Sequence, residues 1–229
     1  MQRLTLSNCC ETQAGMLALN SLTAFSEINL RYYQVLADVP TSSAWAQLKQ
    51  LRSLHIRSTI RPFGASDGVR GLQRVMAGVA AASGLCKLHL DFRDVDGVLR
   101  PKLFGYLTGL QQLQELRVKG VHAASIDGAH LQLYGANSEC VRRAMSSDAA
   151  DIMQLTALTG LTRLEVTSWT AGAAAAGALA TGLPQLCRLK LYDCCIESTA
   201  ALPALGRLSH LQHLDLRQNL RDVATACSC

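Results

Sequence analysis

The sequence predicts an α/β solenoid, with a curved parallel sheet on the concave side and helices and turns on the convex side. Three observations predict it. An L-x-x-L-x-x-L-x-x-L-x-L frame stands near the end of the sequence at Leu205, Leu208, Leu211, Leu214 and Leu216. It recurs twenty-five residues earlier at Leu183, Leu186, Leu189 and Leu191, and again at Leu155, Leu158, Leu161, Leu164 and Val166. Hydrophobic residues make up 49% of the 229 but aromatic ones only 5%, so the core must be aliphatic. Between the leucine frames lie stretches with helical rather than alternating periodicity.

Upstream the frame continues with less regular spacing. Leu4, Leu6 and Cys9 begin the series, followed by Leu22, Phe25, Ile28 and Leu30. Then come Leu48, Leu51, Leu54 and Ile56; Leu85, Leu88 and Leu90; and Leu107, Leu110, Leu113, Leu116 and Val118. That makes about eight units, with strands expected from 4, 28, 54, 88, 116, 164, 189 and 214. In L-x-L, two apolar residues fall on the same face of a short strand and point inward. No unit can bury its own apolar side, so stacking must close a continuous core. Each buried Leu or Ile then contributes roughly 1.5–3 kcal/mol of transfer free energy.

The pattern resembles the leucine-rich-repeat family over nearly the whole chain. The resemblance implies Asn, Cys or Thr three residues after the second L, bonding the backbone of the turn. Cys9, Thr59, Cys194 and Asn219 match; Tyr33, Arg93, Val121 and Trp169 depart, so wider turns are expected at those rungs. The Ala/Gly-rich repeats look like those of green-algal members.

Helix starts are read at Thr41 and Ser42 after Pro40, at Asp67 before a segment running to Ala82, at Asp148 before Ala149 to Leu158, and at Thr170 before an Ala-rich run to Leu179. Small residues in that run let a helix sit close to the sheet. Trp45 is assigned to convex-side packing. The step from Leu116 to Leu164 is 48 residues. It reads either as an irregular insertion near 120–147 or as a degenerate repeat around Leu131 and Leu133. The domain is a single one over 1–229 with abrupt ends, which reads as a fragment of a longer protein or a module expecting a neighbour.

Outward residues stack into columns about 4.8 Å apart on adjacent rungs. The residue inside each L-x-L gives Thr5, Asn29, His55, His89, Arg117, Glu165, Lys190 and Asp215. The next column is Ser7, Arg31, Arg57, Asp91, Lys119, Thr167, Tyr192 and Arg217, and the residue before each L-x-L gives Arg3, Glu27, Ser53, Lys87, Glu115, Arg163, Arg188 and His213. Arg57 faces Asp91, Lys87 faces Glu115, and Glu165, Lys190 and Asp215 alternate in sign. Either these charges brace the sheet or they form a recognition face. As a partner-binding face the candidates are Arg31, His55, Arg57, His89, Asp91, Arg117, Lys119, Arg163, Glu165, Arg188, Lys190, Tyr192, Asp215 and Arg217. Tyr32, Phe92 and Tyr192 are candidate aromatic anchors. The clustering of Arg163, Arg188, Lys190 and Arg217 suggests a partner with an acidic surface.

Other chemistries find little support. Net charge is +5, well short of a nucleic-acid footprint. No window approaches eighteen apolar residues, so no membrane span is expected. His55 and His89 share a column but lack a third ligand, so neither metal nor cofactor is expected. The nine cysteines include no C-x-x-C and read as reduced thiols. No phosphate loop, nucleophile elbow or H-E-x-x-H occurs. The expected function is a non-catalytic protein-protein interaction module, intracellular and cytoplasmic. The alternative is a structural or regulatory part of a ciliary, axonemal or other cytoskeletal assembly, or of a ubiquitin-ligase substrate receptor.

Overall fold

The computed structural model describes residues 2–7, 24–33, 42–59, 73, 75–93, 103–119, 150–167, 172–192, 194 and 198–217. Eight parallel strands form one sheet in the order of the chain, β1 through β8. They are β1 Arg3–Ser7, β2 Glu27–Tyr33, β3 Ser53–Thr59, β4 Lys87–Arg93, β5 Glu115–Lys119, β6 Arg163–Thr167, β7 Arg188–Tyr192 and β8 His213–Asp215. The register keeps the leucine frames aligned: Leu4↔Ile28↔Leu54↔Leu88↔Leu116↔Leu164↔Leu189↔Leu214 form one row. The six central members, Ile28 through Leu189, are buried, whereas the terminal Leu214 is 38% exposed. β5 pairs directly with β6 across the 48-residue step, with Leu116 opposite Leu164. Residues 120–147, including Leu131 and Leu133, lie outside the described residues.

The three-residue spacing of leucines before each strand has a hydrogen-bond cause. The N–H of Leu51, Leu113, Leu161, Leu186 and Leu211 donates to the carbonyl of the leucine three residues earlier, and Leu85 does the same to Ala82. Each turn therefore aims two apolar side chains inward just before the strand begins. At the strand entrance, one carbonyl of each repeat accepts two N–H groups from the next. Ser26 accepts from Arg52 and Ser53, Arg52 from Cys86 and Lys87, and Cys86 from Gln114 and Glu115. Gln114 accepts from Thr162 and Arg163, Thr162 from Cys187 and Arg188, and Cys187 from Gln212 and His213. This double acceptance fixes the register one rung at a time.

The core lies between the inward strand residues and the convex layer. That layer is assembled from short pieces: helices Ser42–Gln47, Gly172–Gly182 and Ser198–Leu205, 3-10 turns Phe104–Leu107 and Gln154–Ala157, and helical residues at 75–80 and 150–153. The helix read to follow Asp148 is thus α-helical only to 153 before it tightens. Trp45 is 1% exposed, as its convex-side assignment requires. In Gly172–Gly182, Ala175, Ala176, Leu179 and Ala180 are buried. A Cβ at Gly182 would lie 2.5 Å from Thr156 Cβ, so this close approach to the preceding repeat admits only glycine. Ser198–Leu205, with Pro203 inside it, was not expected from the sequence.

Two polar ties join successive repeats of the convex layer. Buried Asp151 accepts the N–H groups of Leu103 and Phe104, both at 3.0 Å, at the start of the Phe104–Leu107 turn. Leucine at the cap position has no oxygen to offer, so a carboxylate from the following repeat fills the role. Arg52 donates through one guanidinium nitrogen to the carbonyls of Lys49 and Gly84 at 3.0 and 3.2 Å.

Candidate functional site

All the outward columns read from the sequence are seen in the register up to β7. Thr5, Asn29, His55, His89, Arg117, Glu165, Lys190 and Asp215 are consecutive partners across the sheet. So are Ser7, Arg31, Arg57, Asp91, Lys119, Thr167 and Tyr192. Arg217 stands apart, because β8 ends at Asp215. Its guanidinium instead folds back on the Asp215 carboxylate in a two-point contact of 2.9 and 2.8 Å. That contact holds the Asp215 carboxyl below its usual range. The backbones of Tyr32 and Phe92 lie in β2 and β4, and their side chains fall outside the described residues.

The charges on this face are partnered unevenly. At the N-terminal end, Arg3 meets Glu27 at 2.9 Å and Arg57 meets Asp91 at 2.8 Å. His55 and His89 stack edge to face with ring centroids 5.6 Å apart. Burial lowers the His55 pKa, and His89, Arg57 and Arg31 lower it further against the opposing pull of Asp91. Among the described residues no group of three His, Cys, Asp or Glu side chains converges on a metal position.

Glu115 is the hub of the middle rungs. It is 5% exposed. Its Oε1 lies 3.1 Å from His89 Nε2 and 2.7 Å from an Arg117 nitrogen, and its Oε2 lies 3.8 Å from Arg163. Burial alone raises the pKa of such a carboxyl; the His89 hydrogen bond and the nearby Arg117 charge outweigh it and hold the group below the usual carboxylate range. An ionised carboxylate can only accept, so His89 carries its proton on Nε2. The sequence placed Glu115 opposite Lys87 and left it out of the candidate site. The available signal was its position beside three potential cations, His89 and Arg163 on the neighbouring strands and Arg117 on its own.

At the C-terminal end the expected alternation does not produce pairs. Glu165 lies 3.8 Å from Arg117, and Asp215 is taken by Arg217. Among the described residues, neither Arg188 nor Lys190 has an ion-pair partner within 4 Å. Here β5, β6 and β7 frame an open depression lined by Leu116, Arg117, Arg163, Leu164, Glu165, Arg188 and Lys190. Arg163 and Arg188 are direct register partners at its rim. Such a surface can bind an anion through charge-assisted N–H donors.

No protein-family profile matches the chain, and no curated protein matches it in sequence. Solved structures do share its architecture. One is internalin C2 from Listeria monocytogenes, with 20% identity and a TM-score of 0.50, covering 87% of this chain and 65% of that one. The chain thus spans slightly less than two thirds of that protein. Another is a second Listeria monocytogenes internalin, inlF, with 14% identity and a TM-score of 0.42, covering 94% of this chain and 61% of that one. The fold is a leucine-rich-repeat solenoid. In this leucine-rich-repeat frame Cys194 occupies the turn position after L-x-L. It is fully buried, and its thiol lies 3.4 and 3.3 Å from the carbonyls of Val166 and Tyr192. The other matching positions, Cys9 and Asn219, and the Thr59 side chain lie outside the described residues.

Proposed function

We propose that this leucine-rich-repeat chain is a non-catalytic binding module whose face of parallel strands holds an acidic protein segment. The observation that carries the reading is the depression over β5 to β7, where Arg163, Arg188, Lys190 and Arg117 gather and two of the four cations lack a partner among the described residues. Cations in a partly desolvated hollow favour carboxylate-bearing ligands and steer their approach. Tyr192 borders the same rungs and adds a ring that packs without large entropy loss.

The setting proposed is the cell interior, on the reduced thiols of Cys86 and Cys187. A cytoskeletal assembly is the context to test first, on the Ala/Gly-rich repeats alone, with a ubiquitin-ligase substrate receptor as the alternative. Among the described residues no helix is long and apolar enough to cross a membrane.

The test is fluorescence anisotropy with a labelled peptide rich in Asp and Glu, beside its Asn/Gln counterpart. The acidic peptide should bind and weaken with added salt. Reversing Arg163, Arg188 and Lys190 together to Glu should reduce its affinity by about tenfold or more. Equal binding by the reversed protein, with an unchanged circular dichroism spectrum, would overturn the reading.

A further inference from the structure

The geometry points to a phosphorylated side chain of a protein partner as the group that seats between Arg163, Arg188 and Lys190. This deepens the reading above and rests on it. The argument begins with a local charge count. Four cations, Arg117, Arg163, Arg188 and Lys190, are set against two carboxylates, Glu115 and Glu165. Asp215 and Arg217 cancel each other in their two-point contact. The formal excess is two positive charges. One carboxylate neutralises half of that, whereas a phosphomonoester carries about −1.5 to −2 at pH 7.

Geometry supports the same ligand. Arg117 and Arg163 both reach toward buried Glu115, which anchors their guanidinium groups over β5 and β6. That leaves Arg188 and Lys190 on β7 as the donors without a partner among the described residues. Arg188 stands directly across from Arg163, and Lys190 directly across from Glu165. A guanidinium fork beside an ammonium, both reaching one hollow, supplies several convergent N–H donors for a tetrahedral oxyanion. The hollow opens to solvent, so a phosphoryl group can be lowered into it on its side-chain stem. Two side-by-side carboxylates of a peptide would need to converge on the same point against their mutual repulsion.

A protein is favoured over a lipid headgroup as the source because of where the cations stand. The Glu165 side chain is 22% exposed and Lys190 is half-buried, whereas Arg163 is 55% exposed and Arg188 exposed, so the floor of the site is recessed below its rim. An extended peptide can lie across the strands and lower one side chain into it. A flat bilayer meets the rim first.

The experiment uses the full chain and one acidic peptide in four forms: with a central Ser, with phosphoserine there, with Glu there, and with phosphoserine in an otherwise Asn/Gln background. Binding is read by anisotropy at fixed ionic strength. The inference expects phosphoserine to bind about tenfold tighter than Ser and several-fold tighter than Glu. It also expects the neutral-background phosphopeptide to retain binding. Arg188→Gln and Lys190→Gln, both surface changes, should each weaken the Ser form somewhat and the phosphoserine form much more, so that the ratio between the two falls toward one. If the acidic peptides bind and phosphoserine adds less than about twofold, the inference fails and the acidic-partner reading stands. If no form binds, both fall. Phosphatidylcholine vesicles carrying a phosphatidylinositol phosphate form the last arm. Retention of the chain on them, abolished by Arg188→Gln and not displaced by the phosphopeptide, would overturn the assignment to a protein ligand.

Discussion

Asp151 offers a sharp test of how the convex layer is held. Its carboxylate is 5% exposed and accepts two backbone N–H groups at 3.0 Å, from Leu103 and Phe104, 48 and 47 residues away in the chain. Asp151→Asn keeps one carbonyl oxygen and turns an NH2 group toward the second donor, so one bond is lost and one N–H faces another. Hydrogen bonds to a charged group contribute roughly 1.5–3 kcal/mol, and a buried donor left unsatisfied costs about 1–3 kcal/mol. Removing the charge also relieves its desolvation, which offsets part of that loss. The expected net cost is about 2–3 kcal/mol for Asn, and more for Ala, which abandons both donors. Urea unfolding followed by circular dichroism measures the total, and hydrogen exchange at the Leu103 and Phe104 amides locates it. Those two amides should exchange faster in both variants. A loss below about 0.5 kcal/mol in Asp151→Ala, with unchanged exchange at both amides, would refute the view that this carboxylate ties the two repeats.

Other perturbations follow from the same geometry. Leu164→Ala, at a site 1% exposed, should cost about 2–5 kcal/mol in urea melts, while Leu214→Ala, 38% exposed at the sheet edge, should cost about 1 kcal/mol or less. Gly182→Ala drives a Cβ into Thr156 Cβ and Cγ2 at 2.5 and 2.7 Å, so it should lower the thermal midpoint. Thr156→Ala, which removes Cγ2 and keeps Cβ, should then recover only part of the loss. His55 has a folded pKa below its ordinary 6.5 because burial and nearby His89, Arg57 and Arg31 oppose its protonation, with Asp91 opposing them. The unfolded chain therefore takes up the proton at higher pH than the folded one. The His55 contribution is present in full above 6.5 and is lost as pH falls through the folded value. His55→Asn should flatten the decline in thermal midpoint below that pH, and an unchanged decline would contradict this assignment.

The strand ladder was legible because it depends on one variable, the parity of aliphatic positions. Leu88, Leu116, Leu164 and Leu189 must face inward together, and each row follows from the two-residue period. The convex layer was less legible. Apart from Gly172–Gly182 its pieces are a turn or two long, so they carry little periodicity of their own. Ser198–Leu205 also holds Pro203, a residue that ordinarily argues against a helix interior. At the candidate site, sequence supplied the columns but not the pairings. Lys87 and Lys190 lie opposite acids in register, yet Glu115 takes His89, Arg117 and Arg163, and Glu165 takes Arg117. Arg163 and Glu165 are facing partners of Glu115 and Arg117, whereas His89 is diagonal to Glu115 and Arg117 shares its strand; long side chains choose among all three kinds of neighbour, a choice made by rotamers that residue spacing does not encode. Arg217 was misassigned to a column for a related reason: a three-residue β8 cannot extend the sheet that far.

Inward positions determine the leucine-rich-repeat fold and outward ones are free to vary, so an outward arrangement that opposes folding carries information. Arg163 and Arg188 are such an arrangement, since like charges directly opposite on adjacent strands are destabilising. Arg188→Glu converts that repulsion into a cross-strand pair. It should raise stability by a few tenths to about 1 kcal/mol in urea melts at low salt, with the gain shrinking as salt is added. The same change should weaken the acidic peptide. A surface whose charges merely solvate the sheet predicts a stability gain with no binding to lose. A brace predicts lost stability, because a bracing cation must already have a partner. Opposite signs for folding and binding from one substitution therefore separate a recognition face from both alternatives, and a loss of stability in Arg188→Glu would show that Arg188 is already serving the fold.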